Sequence, residues 1–286
     1  MSCKTILVYV DASEYSNDGI EVAAKMAARD HAHLIGIAVT GLSRSLHRPV
    51  VPDQNGISMT PYKSEYLETL RLRANAALDK FEALARGFGV TSYERRLIED
   101  EASAAISAQG LYADLIVLGR NDSDDPSLTT KVDFPEYVIL NSECPVLIVP
   151  RSSRVFGNVG MAERVLIAWD GSLAASRAVR NAMPFLILAN NIQLAIVEPA
   201  SRPNPQCEES GKEIAAYLMR HSVKVKIVRH PAADDAGHAL LALAADLSSD
   251  LIVMGCVAHP RWRGVLLGGT TRVVLEETTV AVLMSH

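Results

Sequence analysis

Short apolar runs, rich in β-branched residues, alternate with longer amphipathic stretches along the whole 286-residue chain. In the second half the runs fall at 164–169, 192–197, 223–228, 251–254 and 280–284. Helix-like spacing fills the intervals near 173–189, 208–221, 234–249 and 269–277. The first half has its runs near 5–10, 33–39, 92–98, 115–118 and 146–149. These runs are almost continuously apolar, the pattern of strands covered by helices on both faces. Alternating β and α units predict an α/β fold of the flavodoxin-like or Rossmann-like kind. Each half is expected to hold five parallel strands in the order 3-2-1-4-5, with helices on both faces.

The two halves repeat each other. "KTILVYVDASEYS" (4–16) parallels "ERVLIAWDGSLAAS" (163–176), each a short apolar run ending in Asp, a small residue and Ser. "DLIVLG" (114–119) parallels "DLIVMG" (250–255), and from these motifs both halves run without a gap to "CPVLIVP" (144–150) and "VAVLMSH" (280–286). The repeat period is therefore a whole domain rather than a solenoid unit. We expect one domain over 1–150, a polar linker over 151–162 and a second domain over 163–286, sizes that each support a core. The stretch 41–62, rich in Pro, Gly and Ser, is expected to be a long loop after the second strand of the first half.

Composition narrows the function classes. The net charge of −5 gives no global field for nucleic acid or an anionic membrane. No apolar run reaches the roughly 18–20 residues of a membrane span, and the N-terminus enters a strand pattern without a leader-like region. The four cysteines, Cys3, Cys144, Cys207 and Cys256, form no CxxC pair, which suits a reducing cytoplasm. Neither a Walker A motif, nor a nucleophile elbow, nor a dinucleotide fingerprint is present. His230, His238 and His259 accompany no Ser or Cys nucleophile with a base that sequence can place, so no enzyme is expected. The acidic "NDSDD" (121–125) lacks the spacing of a calcium loop and reads as solvated.

Ligands of doubly wound sheets bind outside the carboxyl ends of the strands, where the winding reverses. Asp11 and Asp170 end the first strands, and Gly119 and Gly255 end the fourth, so each pair converges on one crevice. These residues resemble the universal stress protein family, in two tandem copies covering nearly the whole chain. The carriers are "VDASEYS", "WDGSLAAS", "DLIVLG" and "DLIVMG". The nucleotide-binding branch of that family has G-x2-G-x9-G-[ST] after the fourth strand. The resemblance implies that the first-strand Asp meets the adenosine end and that the glycine loop holds the phosphates. In the second copy Gly255 and Gly268 match, Ala258 replaces the second glycine, Gly269 replaces Ser/Thr, and Thr270 follows. The first copy keeps Gly119 alone, with Asp122, Val132 and Asp133 at the other positions.

Charge separates the copies further. Residues 120–133 carry Arg120 and Lys131 against Asp122, Asp124, Asp125 and Asp133, whereas residues 256–269 carry Arg261 and Arg263 and no acid. The candidate site is therefore Asp170, Val197, Met254, Gly255, Ala258, Arg261, Arg263, Gly268, Gly269 and Thr270. Free N–H groups at a helix start, close backbone approach and nearby Arg are what a phosphate cradle requires. Each residue also has a plainer role. Asp11 and Asp170 would order the turn or cap the next helix, Gly255 and Gly268 would serve packing, Arg261 and Arg263 would be solvated, and Val197 and Met254 would be core. The leading expectation is a cytoplasmic stress-response module binding ATP or AMP in the second domain, with no metal beyond a nucleotide's own Mg²⁺. The alternatives are a protein-interaction module without nucleotide and a weak ATP hydrolase. The apolar final strands, 145–150 and 280–285, suggest an intramolecular pseudo-dimer, and a homodimer or a protein partner is also open.

Overall fold

The computed structural model describes residues 2–13, 15–41, 60–119, 134–150, 162–199, 205–232, 235–256, 258–261 and 264–286. The first half runs β1 (Thr5–Tyr9), α1 (Tyr15–Asp30), β2 (His33–Val39), α2 (Thr60–Gly87), β3 (Tyr93–Ile98), α3 (Ala102–Gly110), β4 (Leu115–Gly119), α4 (Phe134–Asn141) and β5 (Val146–Val149). The second begins with β6 (Arg164–Ala168), α5 (Leu173–Asn181), α6 (Met183–Leu186), β7 (Asn191–Pro199), α7 (Pro205–Arg220) and β8 (Lys226–Ala232). It ends with α8 (Ala236–Asp246), β9 (Leu251–Gly255), β10 (Ala258–Arg261), β11 (Gly264–Leu267), α9 (Gly269–Glu277) and β12 (Ala281–Ser285).

The long strands form one ten-stranded sheet in the order β3-β2-β1-β4-β5-β12-β9-β6-β7-β8. Each half has the 3-2-1-4-5 order, and its strands are parallel. The halves meet where β5 and β12 pair antiparallel, with Val146 opposite Met284, Leu147 opposite Leu283 and Ile148 opposite Val282. These side chains are fully buried, so neither apolar edge is left open. One face of the sheet packs on Met26, Phe81, Val179 and Leu218. The other packs on Ile106, Val138, Leu240 and Val274.

The aspartate that opens each "DLIV" motif is a backbone clamp. One carboxylate oxygen of Asp114 accepts the N–H groups of Lys4 (2.7 Å) and Thr5 (2.9 Å). Asp250 accepts those of Glu163 (2.8 Å) and Arg164 (3.0 Å). Each returns its own N–H to the same strand, at 2.9 Å to the Thr5 and Arg164 carbonyls. The clamp fixes the start of β1 against β4, and of β6 against β9. That explains the repeated Asp without a ligand. Burial pushes the Asp250 carboxyl above its ordinary range, against the pull of the two N–H groups.

Three expectations shift at element ends. The helix expected over 173–189 breaks into α5 and α6 because Pro184, in the first turn of α6, has no N–H for the Arg180 carbonyl. The third strand starts at Lys226 rather than Val223. Ser222 turns the chain at φ 63°, and the Val223 N–H closes the end of α7 on the Leu218 carbonyl. The end of the expected loop 41–62 belongs to α2, and residues 42–59 lie outside the described residues, as do 121–125 and 151–161. Among the described residues no helix is long and apolar enough to cross a membrane.

Candidate functional site

The sheet's carboxyl edge in the second half holds a cavity of about 340 Å³, within the roughly 300–1,000 Å³ of small-molecule sites. β6 ends there with Ala168, and Trp169 and Asp170 follow it into the lining. The Trp169 N–H bonds the Ala195 carbonyl of β7 (2.8 Å), and its indole N–H donates to Ser210 Oγ on α7 (3.0 Å). Ser210 in turn donates to the Cys207 carbonyl (3.0 Å), and the Cys207 thiol donates to the Asp170 carbonyl (3.2 Å). The first turn of α7 is thus tied to the end of β6.

Asp170 is exposed at the rim. Its Oδ1 accepts the Ser172 N–H (2.9 Å), and Ser172 Oγ caps α5 by accepting the Ala175 N–H (3.1 Å). The plainer role foreseen for Asp170 is therefore present: it orders the turn, and Ser172 makes the cap. Asp11 repeats this in the first half, accepting the Ser13 N–H at 2.9 Å.

The opposite wall comes from β9, α8 and α9. Asp235 caps α8 by accepting the Gly237 N–H (2.6 Å), which holds its carboxyl below the ordinary range. Ala236 and Leu240 of α8 then line the cavity. Gly268 caps α9 with extended backbone and no side-chain bond, and no acid lies in the first turn. The first N–H groups of α9 therefore have no capping side chain. His238 ties the two helices, with Nε2 at 3.2 Å from Glu277 and Nδ1 at 3.1 Å from Asp235. The Glu277 hydrogen bond and charge, followed by those of Asp235, raise its pKa. Burial pushes the Cys256 thiol, beside the cavity, to about 12 against the hydrogen bond of Thr271, so it stays neutral. Among the described residues no group of His, Cys, Asp or Glu is arranged to hold a metal ion.

Of the residues singled out in the sequence, Asp170, Val197, Met254, Gly255, Gly268 and Thr270 line this cavity. Gly269 does not, and a Cβ there would meet nothing within 4 Å. Gly255 has a packing reason of its own. A Cβ on it would overlap the Ala175 nitrogen and Ala174 carbonyl carbon and stand 2.9 Å from the Ala174 Cβ. The open glycine loop expected between Gly255 and Gly268 is instead occupied by the antiparallel pair β10–β11. Ala258 and Arg261 lie in β10, where only the backbone is described, and Arg263 lies outside the described residues.

Sequence reasoning missed Trp169 and the alanines at 168, 175, 195 and 236. Their signal was a comparison between the halves. Tyr9 is the register partner of Ile37 as Ala168 is of Ala195, and the "DLIV" alignment sets Phe134 against Thr270. In the first half Tyr9 (4% exposed), Ile37 (0%) and Phe134 (3%) fill the corresponding place. The Tyr9 and Phe134 rings pack 4.9 Å apart. In the second half Ala168, Ala195 and Thr270 leave it open.

Residues 2–150 and 161–286 each match the universal stress protein family. The chain belongs to that family, in tandem form. A universal stress protein of Synechocystis is 24% identical over 151 residues, 52% of this chain and 49% of that protein, so the match spans about half of the curated relative. The structure of a universal stress protein from Archaeoglobus fulgidus aligns over 98% of this chain and 97% of its own, with 18% identity and a TM-score of 0.71. A functionally unknown protein of Pseudomonas aeruginosa aligns over 99% and 92%, with 17% identity and a TM-score of 0.62. Both likenesses concern the fold.

Proposed function

We propose that this universal stress protein is a non-catalytic, cytoplasmic module that holds an adenine nucleotide, ATP or AMP, in its second half as a sensing or regulatory ligand. The observation that carries the reading is the contrast between the halves: the same crevice is filled by Tyr9, Ile37 and Phe134 in one and open in the other. A base would lie against Val197, Met254 and the alanine floor. The ribose hydroxyls would meet the Asp170 carboxylate, and a phosphate would face the start of α9. The domains would run 1–150 and 163–286, and the β5–β12 joint would make the chain its own pseudo-dimer. Cys3, Cys144, Cys207 and Cys256 form no disulfide with one another, in keeping with a reducing compartment.

The test is to denature the purified protein and identify any released nucleotide by mass spectrometry, then to titrate parent and Gly268→Asp proteins calorimetrically with ATP and AMP. Asp is a better helix cap than Gly by a few tenths of a kcal/mol. Its carboxylate would take the α9 N–H groups and repel phosphate. We expect an undiminished melting temperature and no binding in the variant, while Val132→Gly in the first half changes nothing. The antiparallel pairing of β10 with β11 favours a second reading, a protein-interaction module without nucleotide. An absence of binding by the parent would establish it.

A further inference from the structure

We infer that Ser210 of α7 is a positioning residue of the second-half cavity, holding the Trp169 ring in the wall where a ligand meets it, an inference that rests on the nucleotide reading above. Among the described residues none of α7 lines the cavity, whereas Trp169 and Asp170 do. The hydrogen bonds of α7 nevertheless end on those two. The Trp169 indole N–H donates to Ser210 Oγ (3.0 Å), Ser210 donates to the Cys207 carbonyl (3.0 Å), and the Cys207 thiol donates to the Asp170 carbonyl (3.2 Å). An indole is a donor only, so its orientation follows the acceptor it is given. Ser210 spends its own proton on the helix and turns its oxygen to the indole. Gly171, the next residue of the turn, has φ 76°, where a side chain is strained, and a Cβ there would stand 3.1 Å from Ser210 Oγ. The turn after β6 is thus seated directly on Ser210.

The first half shows that docking the helix does not itself require these bonds. Val10 takes the place of Trp169, since their N–H groups bond the Ile37 and Ala195 carbonyls alike (both 2.8 Å). α2 and α7 end in the same turn, with the Val90 N–H on the Ala85 carbonyl and the Val223 N–H on the Leu218 carbonyl. Counted back from that turn, Ala77 answers to Ser210 and Ala74 to Cys207. Val10, Ala74 and Ala77 are all buried. Apolar packing alone therefore seats α2 beneath the crevice that Tyr9, Ile37 and Phe134 fill. The polar circuit belongs to the half whose crevice is open. Without the Ser210 oxygen the indole divides its time among orientations, and apparent affinity falls with the fraction that forms the wall. One net hydrogen bond corresponds to about a two- to tenfold change.

The experiment uses the full-length protein as parent, Ser210→Ala, Trp169→Phe and the double variant, each titrated calorimetrically with ATP and with AMP. Ser210→Ala is expected to weaken the tighter nucleotide about two- to tenfold in the parent background. In the Trp169→Phe background, which has no indole N–H to hold, the same change is expected to shift affinity by less than about twofold. In NMR the Trp169 indole proton, told from that of Trp262 by its disappearance in Trp169→Phe, is expected to move on Ser210→Ala before any ligand is added. Equal losses in both backgrounds overturn the inference, because Ser210 would then act by another route than the indole. So does a lowered melting temperature with unchanged affinity, which would make Ser210 a docking residue of the helix alone, and so does an unmoved indole resonance. Each of these leaves the nucleotide reading standing. Failure of the parent to bind either nucleotide removes that reading, and the inference with it.

Discussion

Gly255→Ala separates two reasons for a glycine at the end of β9. If the glycine serves a ligand's approach, the added methyl costs binding alone. The geometry assigns it to the helix above. The new Cβ would overlap two backbone atoms of α5, at Ala174 and Ala175, and stand 2.9 Å from a Cβ where ordinary contact begins near 3.4 Å. No flexible side chain can yield. The start of α5 must move, and Ser172 holds that start by its cap to Ala175. Overpacking a close-packed site costs about 1–3 kcal/mol, and a clash with backbone belongs at the upper end. About 3 kcal/mol lowers the melting temperature by roughly 6–12 °C in a unit of 150–250 residues. Calorimetric melting of Gly255→Ala beside Gly269→Ala gives the contrast. The second substitution meets open space at the start of a helix and should be neutral or stabilising by up to about 1 kcal/mol. A Gly255→Ala protein that melts with the parent would refute the packing argument.

Ala168→Tyr rebuilds in the second half the ring that fills the first; nucleotide binding is expected to vanish in calorimetry while the protein remains folded by circular dichroism. Asp250→Asn keeps one acceptor for two backbone N–H groups, and losing one of these solvent-exposed hydrogen bonds should cost about 0.5–1.5 kcal/mol in urea unfolding; a variant as stable as the parent would show the clamp to be idle. The raised pKa of His238 means that its bridge between α8 and α9 is complete below the ordinary histidine value of about 6.5. That contribution is lost as pH rises through the folded-state value. NMR titration should place the His238 midpoint above the ordinary value, and Glu277→Gln should bring it down.

The strands and their order were legible because both-face burial demands apolar runs that few other elements produce, and the repeat doubled every signal. Pro184 broke a helix whose apolar spacing reads straight through it. The hairpin was hidden because "VAHPRWRGVLL" (257–267) mixes Pro, Gly and Arg with apolar residues, a composition that also describes a loop. Asp170, Val197 and Met254 were found from their positions at strand ends. The alanine floor was not, since an alanine on a buried strand looks like ordinary core until it is set beside the Tyr9 and Ile37 of the other half. Gly255 was legible as a necessary glycine, and its neighbour in space, the first turn of α5, was not.

The β5–β12 joint frees the molecule from a rule that binds symmetric assemblies. In a homodimer a substitution appears in both subunits, so a change that closes one site closes its mate. Here the two facing strands belong to one chain, and each half mutates alone. Tyr9 and Phe134 could therefore come to fill one crevice while Ala168 and Thr270 kept the other open, and the shared sheet stayed whole throughout. The joint gives a two-part protein the stability of a pair with the evolutionary freedom of two independent genes.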